Sequence, residues 1–263
     1  MIKLIALDLD GTLLDPGGKI TRGAKAAIVQ ARAAGVQVVL STGRPIPEAI
    51  WFAREAGCDD LICCLGGAAL VDGRTGQVLR RYDISAPTGA RVLELCLNRG
   101  IELMIFAGNE IVLDRFSKQS LLRTYPFSAF HDNAVLVEDP MAYIKEQSLP
   151  LTKVHGDHGV FPLEELRALP GVELTSSNDH DFELVAAGVD KGKTLALLAV
   201  MYGVALEDCA AVGDSDNDLA MLKVVGTPIA MGNASRRVKD ACGRTVSSNA
   251  EEGVAAAIRS CLE

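Results

Sequence analysis

The chain has 263 residues, of which 49% are hydrophobic and only 5% aromatic, which indicates a globular, aliphatic-rich protein of one large or two modest domains. A formal net charge of −8 disfavours a surface that follows nucleic-acid phosphates, so we expect a small-molecule partner and no nucleic acid. No apolar stretch approaches the roughly 20 residues that span a bilayer, which argues against an integral membrane protein.

The seven cysteines are scattered along the chain, and Cys63 and Cys64 stand side by side in an apolar run. They form no Cys-x-x-Cys pair, and no signal peptide precedes them. We therefore expect reduced thiols and a cytoplasmic protein, as a monomer or a small homo-oligomer.

Strand and helix patterns alternate from the start of the chain. They predict a strand at 2–8, a helix at about 22–34, a strand at 36–41, a helix at about 46–56 and a strand at 61–65. Gly35 and Pro45 stand at helix boundaries, where these residue types are common. Such alternation predicts an α/β fold with a Rossmann-like, doubly wound parallel sheet.

The pattern changes between about 84 and 187. Strands are predicted there at 101–106, 111–113, 151–155, 172–176 and 182–186, with helices near 88–99 and 162–169. A helix from about 191 and a strand at 209–212 then resume the first pattern. An α/β domain over 84–187, inserted into a core formed by 1–83 and 188–263, explains this order better than two consecutive domains.

Asp8 and Asp10 close the first apolar strand, just before Gly11. Residues i and i+2 of a strand point to the same face, so one hard cation can be held by Asp8 and the neighbourhood of Asp10. The glycine allows a sharp turn after them. The alternative is a strand that simply ends in turn-forming residues.

Two further segments have the composition of phosphate-binding sites. Thr42 and Gly43 follow the strand at 36–41, where a hydroxyl and an amide can bind a phosphate. Lys191 opens a helix, whose first amides favour anions. The alternatives are an ordinary turn for the first segment and a solvated helix residue for the second.

A cluster of polar residues runs from Asp214 to Asp218 after the strand at 209–212. It can be a helix-capping cluster, because Ser and Asp satisfy the first amides of a helix. It lacks the Glu at position 12 that a calcium loop requires. In an open parallel sheet, ligands bind beyond the carboxyl ends of the strands, so all four segments are predicted to converge on one crevice.

In four motifs the chain resembles the haloacid dehalogenase superfamily of phosphotransferases. The motifs are Asp8-x-Asp10-Gly11-Thr12, Thr42-Gly43-Arg44, Lys191-Gly192 and Gly213-Asp214-x-x-Asn217-Asp218. Pro45 after the second motif, the long insert before the third, and Phe182-Glu183-Leu184 shortly before Lys191 are similar to Cof-type subclass IIB phosphatases. Many relatives carry Asn-Gly where this chain has Gly66-Gly67, and an aromatic residue where it has Ile46.

The resemblance implies a haloacid dehalogenase-like core with a cap that governs specificity, and a chemistry that begins at two aspartates. Asp8 is implied to attack phosphorus and form an aspartyl-phosphate, and Asp10 to act as acid and then as base. The implied cofactor is Mg²⁺, held by Asp8, the backbone carbonyl of Asp10, and Asp214. The phosphate would be bound by Thr42, the amides of Leu9 and Gly43, Lys191 and Asn217. Asp218 would orient Lys191 or the water shell of the metal.

The implied function is a magnesium-dependent phosphatase of small phosphorylated metabolites, with sugar phosphates first. The dehalogenases of the superfamily lack the second aspartate, so Asp10 favours phosphate hydrolysis. The alternatives are a phosphotransferase or phosphomutase of the same superfamily, and a non-catalytic module that binds a phosphorylated ligand.

Two further features have open interpretations. Arg44 can contact the substrate, or it can form an ordinary surface ion pair. All four histidines, His131, His155, His158 and His180, lie in the insert. His155 and His158 can converge on a zinc ion, although two histidines without a third ligand more often form a polar loop.

Overall fold

The computed structural model describes residues 1–124, 134–157, 163–176 and 181–263. The chain forms two compact units, Met1–Arg81 with Asp190–Glu263, and Tyr82–Val189. In chain order, the strands are β1 (Leu4–Leu7), β2 (Gln37–Leu40), β3 (Leu61–Cys64), β4 (Ala69–Asp72), β5 (Val78–Arg81), β6 (Leu103–Ala107), β7 (Glu110–Leu113), β8 (Ala134–Leu136), β9 (Leu151–Asp157), β10 (Val172–Thr175), β11 (Asp181–Ala186), β12 (Cys209–Gly213), β13 (Thr227–Ala230) and β14 (Arg244–Thr245).

Ten α-helices lie in the described part of the chain. They span Arg22–Ala33, Ile46–Ala56, Ala86–Leu97, Arg115–Thr124, Pro140–Glu146, Leu163–Arg167, Lys191–Met201, Leu219–Val224, Arg236–Ala241 and Gly253–Ser260. Within the described residues, no helix combines the length and the hydrophobicity that a membrane span requires.

The first unit is built on a parallel five-stranded sheet in the order β14-β13-β12-β1-β2. Every residue of β1 is fully buried. Because successive side chains of a strand point to opposite faces, both faces of the sheet are covered, as in doubly wound proteins. The predicted α/β fold with a parallel sheet is confirmed.

The strand order places a candidate crevice beside β1. β1 pairs with β2 on one side and with β12 on the other, and Leu7 stands opposite both Leu40 and Val212. In such sheets the order reverses at a strand with neighbours from both directions, and ligands bind beyond the carboxyl ends at that point. The segments after β1, β2 and β12 all lie at this edge.

A small antiparallel sheet, β3-β4-β5, extends the first unit. The N–H of Thr42 donates to the carbonyl of Cys63 at 2.9 Å and connects β3 to the end of β2. β4 and β5 were not among the predicted strands. β5 reads Val-Leu-Arg-Arg and is partly exposed, so it lacks the apolar alternation that identifies a strand in a sequence.

The second unit has a six-stranded sheet in the order β10-β11-β9-β6-β7-β8, antiparallel except for the pair β7 and β8. It contains its own hydrophobic core. Among the buried members are Val92, Leu103, Ile105, Val154 and Phe182. The five strands predicted in the insert are all present, with ends that differ from the predicted ones by at most two residues.

Candidate active site

A carboxylate is buried at the end of the central strand β1. The N–H of Asp8 donates to the carbonyl of Val212 at 3.0 Å, and the N–H of Ser41 donates to the carbonyl of Leu7 at 2.8 Å, so the sheet's hydrogen bonds continue past the strand ends. Asp8 is only 4% exposed. The parallel pairing thereby fixes the backbone of Asp8 beside the turns that follow β2 and β12.

Lys191 is a buried cation among acceptors. Its Nζ donates to Oδ1 of Asp8 at 2.7 Å, to Oδ1 of Asn217 at 3.0 Å and to Oδ1 of Asp218 at 2.7 Å. Burial by itself lowers the pKa of Lys191, but the charges of Asp218 and Asp8 outweigh it and raise this pKa above its usual value. Lys191 therefore carries a fixed positive charge next to the Asp8 carboxylate.

Asp214 lies against the turn that follows β1. The hydroxyl of Thr12 donates to Oδ1 of Asp214 at 2.8 Å. Gly11 has φ +80°, and a Cβ at this position would stand 2.4 Å from Oδ2 of Asp214, so only glycine fits this close approach. Burial, followed by the charge of Asp218, raises the pKa of Asp214 to about 7.

Three carboxylates form a compact cluster. Ligand oxygens of Asp8, Asp214 and Asp218 lie within 4.8 Å of one another. Burial is the main cause that raises the pKa of Asp8 well above its usual value, and the negative charge of Asp218 adds to it. Hard oxygen ligands that repel one another in a buried position fit a divalent cation such as Mg²⁺.

Asp218 is engaged differently from the other two carboxylates. Its Oδ2 accepts hydrogen bonds from the N–H groups of Asp214 and Ser215 at 2.9 and 3.1 Å, while its Oδ1 accepts from Lys191. These three bonds fix the turn after β12 and orient the lysine. Of the two partners predicted for Asp218, Lys191 is one that it contacts in the structure.

Asp10 points to a different partner. Arg44 donates from Nε to Oδ2 of Asp10 at 2.8 Å and from Nη2 to Oδ1 at 2.6 Å. Its Nη1 donates to Glu48 at 2.7 Å. The carboxylate of Asp10 is therefore not in the three-carboxylate cluster. Of the two interpretations of Arg44, the structure contains an ion pair, and its partner is one of the two aspartates after β1.

The predicted phosphate-binding residues occupy the turns around Asp8. Thr42 is fully buried, and its Oγ1 accepts a hydrogen bond from the N–H of Arg44 at 3.1 Å. Gly43 is partly exposed directly after it, and Leu9 is buried in the turn after β1. The side-chain oxygen of Asn217 accepts from Lys191, which turns the NH₂ group of Asn217 away from that cation.

Asn233 was missed by the sequence analysis. Its Nδ2 donates to the carbonyl of Gly11 at 2.7 Å, and its Oδ1 accepts from the N–H of Asn249 at 3.0 Å. Its bond to Gly11 helps to fix the turn that carries Asp10. Asn233 follows β13, the next strand of the same sheet, so its place as a polar residue shortly after a strand was the signal that could have identified it.

The turn Leu65–Gly67 approaches the start of the Lys191 helix. All three residues have positive φ, of 53°, 69° and 100°. A Cβ on Gly67 would stand 2.2 Å from the carbonyl oxygen of Asp190, and the Gly67 carbonyl accepts from Thr194 at 2.6 Å. Position 67 thus requires glycine. Position 66 has left-handed geometry, which Asn adopts more readily than most other residues.

The histidine hypothesis is only partly covered by the structure. His131, His158 and His180 lie outside the described residues. His155 lies on β9 with its Nε2 3.3 Å from Oδ2 of Asp181. The pairing of His155 with His158 for zinc therefore stays a prediction.

Comparison with known proteins identifies the family. A sequence profile of the haloacid dehalogenase-like hydrolases matches residues 5–258. The 5-amino-6-(5-phospho-D-ribitylamino)uracil phosphatase YcsE of Bacillus subtilis is 30% identical over 98% of this chain and 95% of its own length. The pyridoxal phosphate phosphatase YbhA of Escherichia coli is 26% identical over 99% of this chain and 98% of its own length.

The fold agrees with that of a solved relative. The structure of a haloacid dehalogenase-like hydrolase from B. subtilis superimposes with a TM-score of 0.87 and 25% identity, and it covers 98% of this chain and 99% of its own. The relatives match along nearly their whole length, so the insert is part of the resemblance. With the acidic cluster after β1 and β12 and the buried lysine at the start of its helix, the chain belongs to the haloacid dehalogenase-like hydrolases and is a phosphatase of small phosphorylated metabolites.

Proposed function

We propose that this phosphatase is magnesium-dependent, prefers sugar phosphates, and works through an aspartyl-phosphate on Asp8. The observation that carries the proposal is the buried Asp8 carboxylate, which shares one cluster with Asp214 and accepts a hydrogen bond from Lys191. A nucleophile for a phosphate dianion needs positive charge beside it, because both reactants are anions. Lys191 and a divalent cation together meet that need.

The metal would be held by Asp8, Asp214 and the backbone carbonyl of Asp10. Support comes from the raised pKa values of Asp8 and Asp214, because burial makes both carboxylates costly to ionise and a bound cation offsets that cost. Gly11 supports it too, because this residue brings the turn after β1 against the Asp214 carboxylate. When bound, Mg²⁺ neutralises charge on the transferring phosphoryl group.

The phosphate oxygens would be bound by donors that surround Asp8. Lys191 is a charged donor beside Asp8, and the NH₂ group of Asn217 is oriented by the hydrogen bond that its own side-chain oxygen accepts from that lysine. The hydroxyl of Thr42 and the amides of Leu9 and Gly43 complete the set. Such preorganised donors stabilise charge that develops in the transition state.

In the first half-reaction, a carboxylate oxygen of Asp8 forms a bond to phosphorus. The ester P–O bond breaks, and its electron pair leaves with the alcohol oxygen. Asp10, in its acid form, donates a proton to that oxygen, so the products are a free alcohol and a phosphorylated Asp8.

In the second half-reaction, water attacks the phosphorus of the aspartyl-phosphate. The carboxylate of Asp10 accepts a proton from this water, and the bond between phosphorus and the Asp8 oxygen breaks. Inorganic phosphate leaves and both aspartates return to their starting forms. Asp10 thus acts on both halves of the reaction, first as acid and then as base.

We further propose that residues 1–83 and 188–263 form the catalytic core, while 84–187 form a cap that selects the substrate. All residues assigned to the chemistry lie in the unit of Met1–Arg81 and Asp190–Glu263. The two curated relatives above differ in the substrate that their names state. The ribityl group in the substrate of one relative is a polyhydroxy chain, which supports a sugar phosphate as the first candidate.

The cytoplasm is the proposed location. All seven cysteines are free and six of them are buried, which fits a reducing compartment.

A phosphate-release screen with added magnesium tests the function. The panel contains phosphorylated sugars, nucleotides, flavin mononucleotide and pyridoxal phosphate, each with and without an alcohol acceptor. We expect free phosphate as the common product and the highest kcat/KM for a phosphorylated sugar. A phosphorylated acceptor in place of free phosphate would instead indicate a phosphotransferase.

A further inference from the structure

Arg44 and Asp10 form a bidentate interaction. Nε and Nη2 of one guanidinium reach the two oxygens of one carboxylate at 2.8 and 2.6 Å. A planar guanidinium that meets a carboxylate with two parallel bonds fixes the orientation of the carboxylate as well as its position. The Asp10 side chain is 48% exposed, so the packing around it restricts it only in part.

Arg44 itself is held firmly. Its side chain is 13% exposed, its Nη1 donates to Glu48 at 2.7 Å, and its guanidinium lies 5.9 Å from the centre of the Phe52 ring. Its backbone N–H donates to Oγ1 of Thr42, and its carbonyl accepts from the N–H of Leu65 at 3.1 Å. The arginine is therefore the rigid member of the pair, and Asp10 is the member whose orientation depends on it.

Hydrogen bonds of the Arg44 side chain go to carboxylates of this chain. Each of its three guanidinium nitrogens already donates to a carboxylate, two to Asp10 and one to Glu48. The ion pair differs from an ordinary surface pair, because the arginine side chain is mostly buried. Its partner also stands two residues after the proposed nucleophile, Asp8.

We propose that Arg44 is a positioning residue, which sets the orientation of the Asp10 carboxyl group for proton transfer to the departing alcohol. This inference rests on the proposed function. Proton transfer requires the acid within hydrogen-bond reach of the oxygen that receives the proton. A displacement of about 1 Å at a reacting group can cost about 10²-fold in rate.

The test compares esters with poor and good leaving groups in wild-type protein, Arg44→Met, Arg44→Lys and Asp10→Asn. A sugar phosphate needs protonation of its alkoxide, whereas para-nitrophenyl phosphate releases a stable phenolate and needs little. If Arg44 acts through Asp10, Arg44→Met lowers kcat for the sugar phosphate by about 10- to 100-fold and lowers it much less for the nitrophenyl ester. Arg44→Lys keeps the positive charge but cannot form the two parallel hydrogen bonds. Its kcat for the sugar phosphate should lie between those of wild type and Arg44→Met.

A double variant shows whether the two residues act together. In Asp10→Asn protein, adding Arg44→Met should cost less than about threefold, because the group that Arg44 orients no longer transfers a proton. The matched control is Arg32→Met, which removes another arginine–aspartate pair of the same unit, the bond from Arg32 to Asp59 at 2.9 Å near the start of β2. This variant should behave as wild type with both esters.

The outcomes separate this inference from the function on which it rests. If wild-type protein hydrolyses neither ester, the proposed function is wrong. If wild type is active and Asp10→Asn loses selectively on the sugar phosphate, Arg44 alone is under test. Equal losses on both esters in Arg44→Met, a selective rise in KM, full additivity with Asp10→Asn, or no loss would each overturn the positioning role. If Arg44→Met does not fold, Glu48→Gln, which loosens the guanidinium, should give a smaller loss with the same ester selectivity.

Discussion

The hydroxyl of Thr12 donates to the carboxylate of Asp214 at 2.8 Å and joins the turn after β1 to the turn after β12. The bond connects two segments that lie 202 positions apart in the sequence. It orients Asp214 without using its second oxygen, Oδ2, which lies against Gly11. The hydrogen bond thus orients the Asp214 carboxylate in the absence of a bound cation, which should favour metal binding.

Thr12→Val should weaken magnesium binding with little effect on turnover at saturating metal. Valine keeps the shape of the side chain and removes the hydroxyl donor, and loss of such a supporting bond costs roughly 10- to 100-fold in metal affinity. Activity as a function of magnesium concentration measures the effect. Thr12→Ser restores the hydroxyl and should recover most of the affinity. An unchanged magnesium requirement in Thr12→Val would show that the bond does not support the metal.

Asp8→Asn should lower turnover by roughly 10⁴-fold or more, the scale seen when a catalytic nucleophile is removed. An amide oxygen is a poor nucleophile and does not form the phosphorylated intermediate. The control is Asp208→Asn, because Asp208 forms an exposed pair with Lys3. Retention of more than about a tenth of wild-type activity in highly purified Asp8→Asn would exclude the nucleophilic role.

Magnesium should stabilise the protein more at pH 8 than at pH 5. The pKa of Asp214 is about 7 in the folded protein against an ordinary value of 3.8, and the pKa of Asp8 is also raised. The folded metal-free protein therefore binds more protons than the unfolded chain in this window, so these two groups lower its stability as pH rises from about 4 to about 7. A bound cation offsets the cost of ionising Asp8 and Asp214 in the folded protein. Its stabilising effect is therefore greatest at a pH where both carboxylates are ionised.

Thermal unfolding with and without magnesium at several pH values between 5 and 8 measures this dependence. Chelation should abolish activity, and calcium should inhibit because it accepts more ligands in a looser geometry. Equal stabilisation by magnesium across the whole range would mean that the two carboxylates do not bind it, and full activity after exhaustive chelation would remove the metal from the mechanism.

Gly67→Ala should destabilise the fold and impair activity together. Its Cβ would stand 2.2 Å from the carbonyl oxygen of Asp190, the residue before Lys191, so either the turn or the helix start must move. The expected loss of unfolding free energy is about 2 to 4 kcal/mol, typical of a steric conflict with backbone. The control is Gly57→Ala, which has φ +77° but no atom within 4 Å, and which should cost only about 1 kcal/mol.

Calorimetry or denaturant titration gives both values. If Gly67→Ala is no less stable than Gly57→Ala, the close approach to Asp190 does not constrain the fold. Gly66→Asn should be well tolerated, because the left-handed geometry of position 66 suits asparagine.

Much of the core site was accessible from the sequence because its residues follow strands of one parallel sheet. Asp8, Thr42 and Asp214 each stand just after an apolar strand, and the topology of such sheets brings strand ends together. The bond from Arg44 to Asp10 was not accessible in the same way. It depends on the direction of a long side chain within a turn, and a sequence pattern contains no information on that direction.

The elements that were missed are those whose signal is weak. β5 carries two arginines in four residues and is partly exposed, so its sequence does not show the alternation of apolar and polar residues that predicts a strand. Asn233 follows a strand that contains a proline, which disfavours a central strand when only the sequence is read. For His155 the sequence left a zinc ion and a polar loop as alternatives, and the contact that the structure describes is with the Asp181 carboxylate on the neighbouring strand.

The separate hydrophobic core of Tyr82–Val189 has a consequence for how such a protein diversifies. Its buried residues pack with one another, while the parallel sheet of the other unit is built from its own fully buried strands. A substitution in a close-packed core acts first on the side chains that pack against it. A lineage can therefore accumulate changes in the inserted unit without eroding the stability of the sheet that carries Asp8, Asp214 and Lys191, so selection can remodel one half of the molecule while the other stays constant.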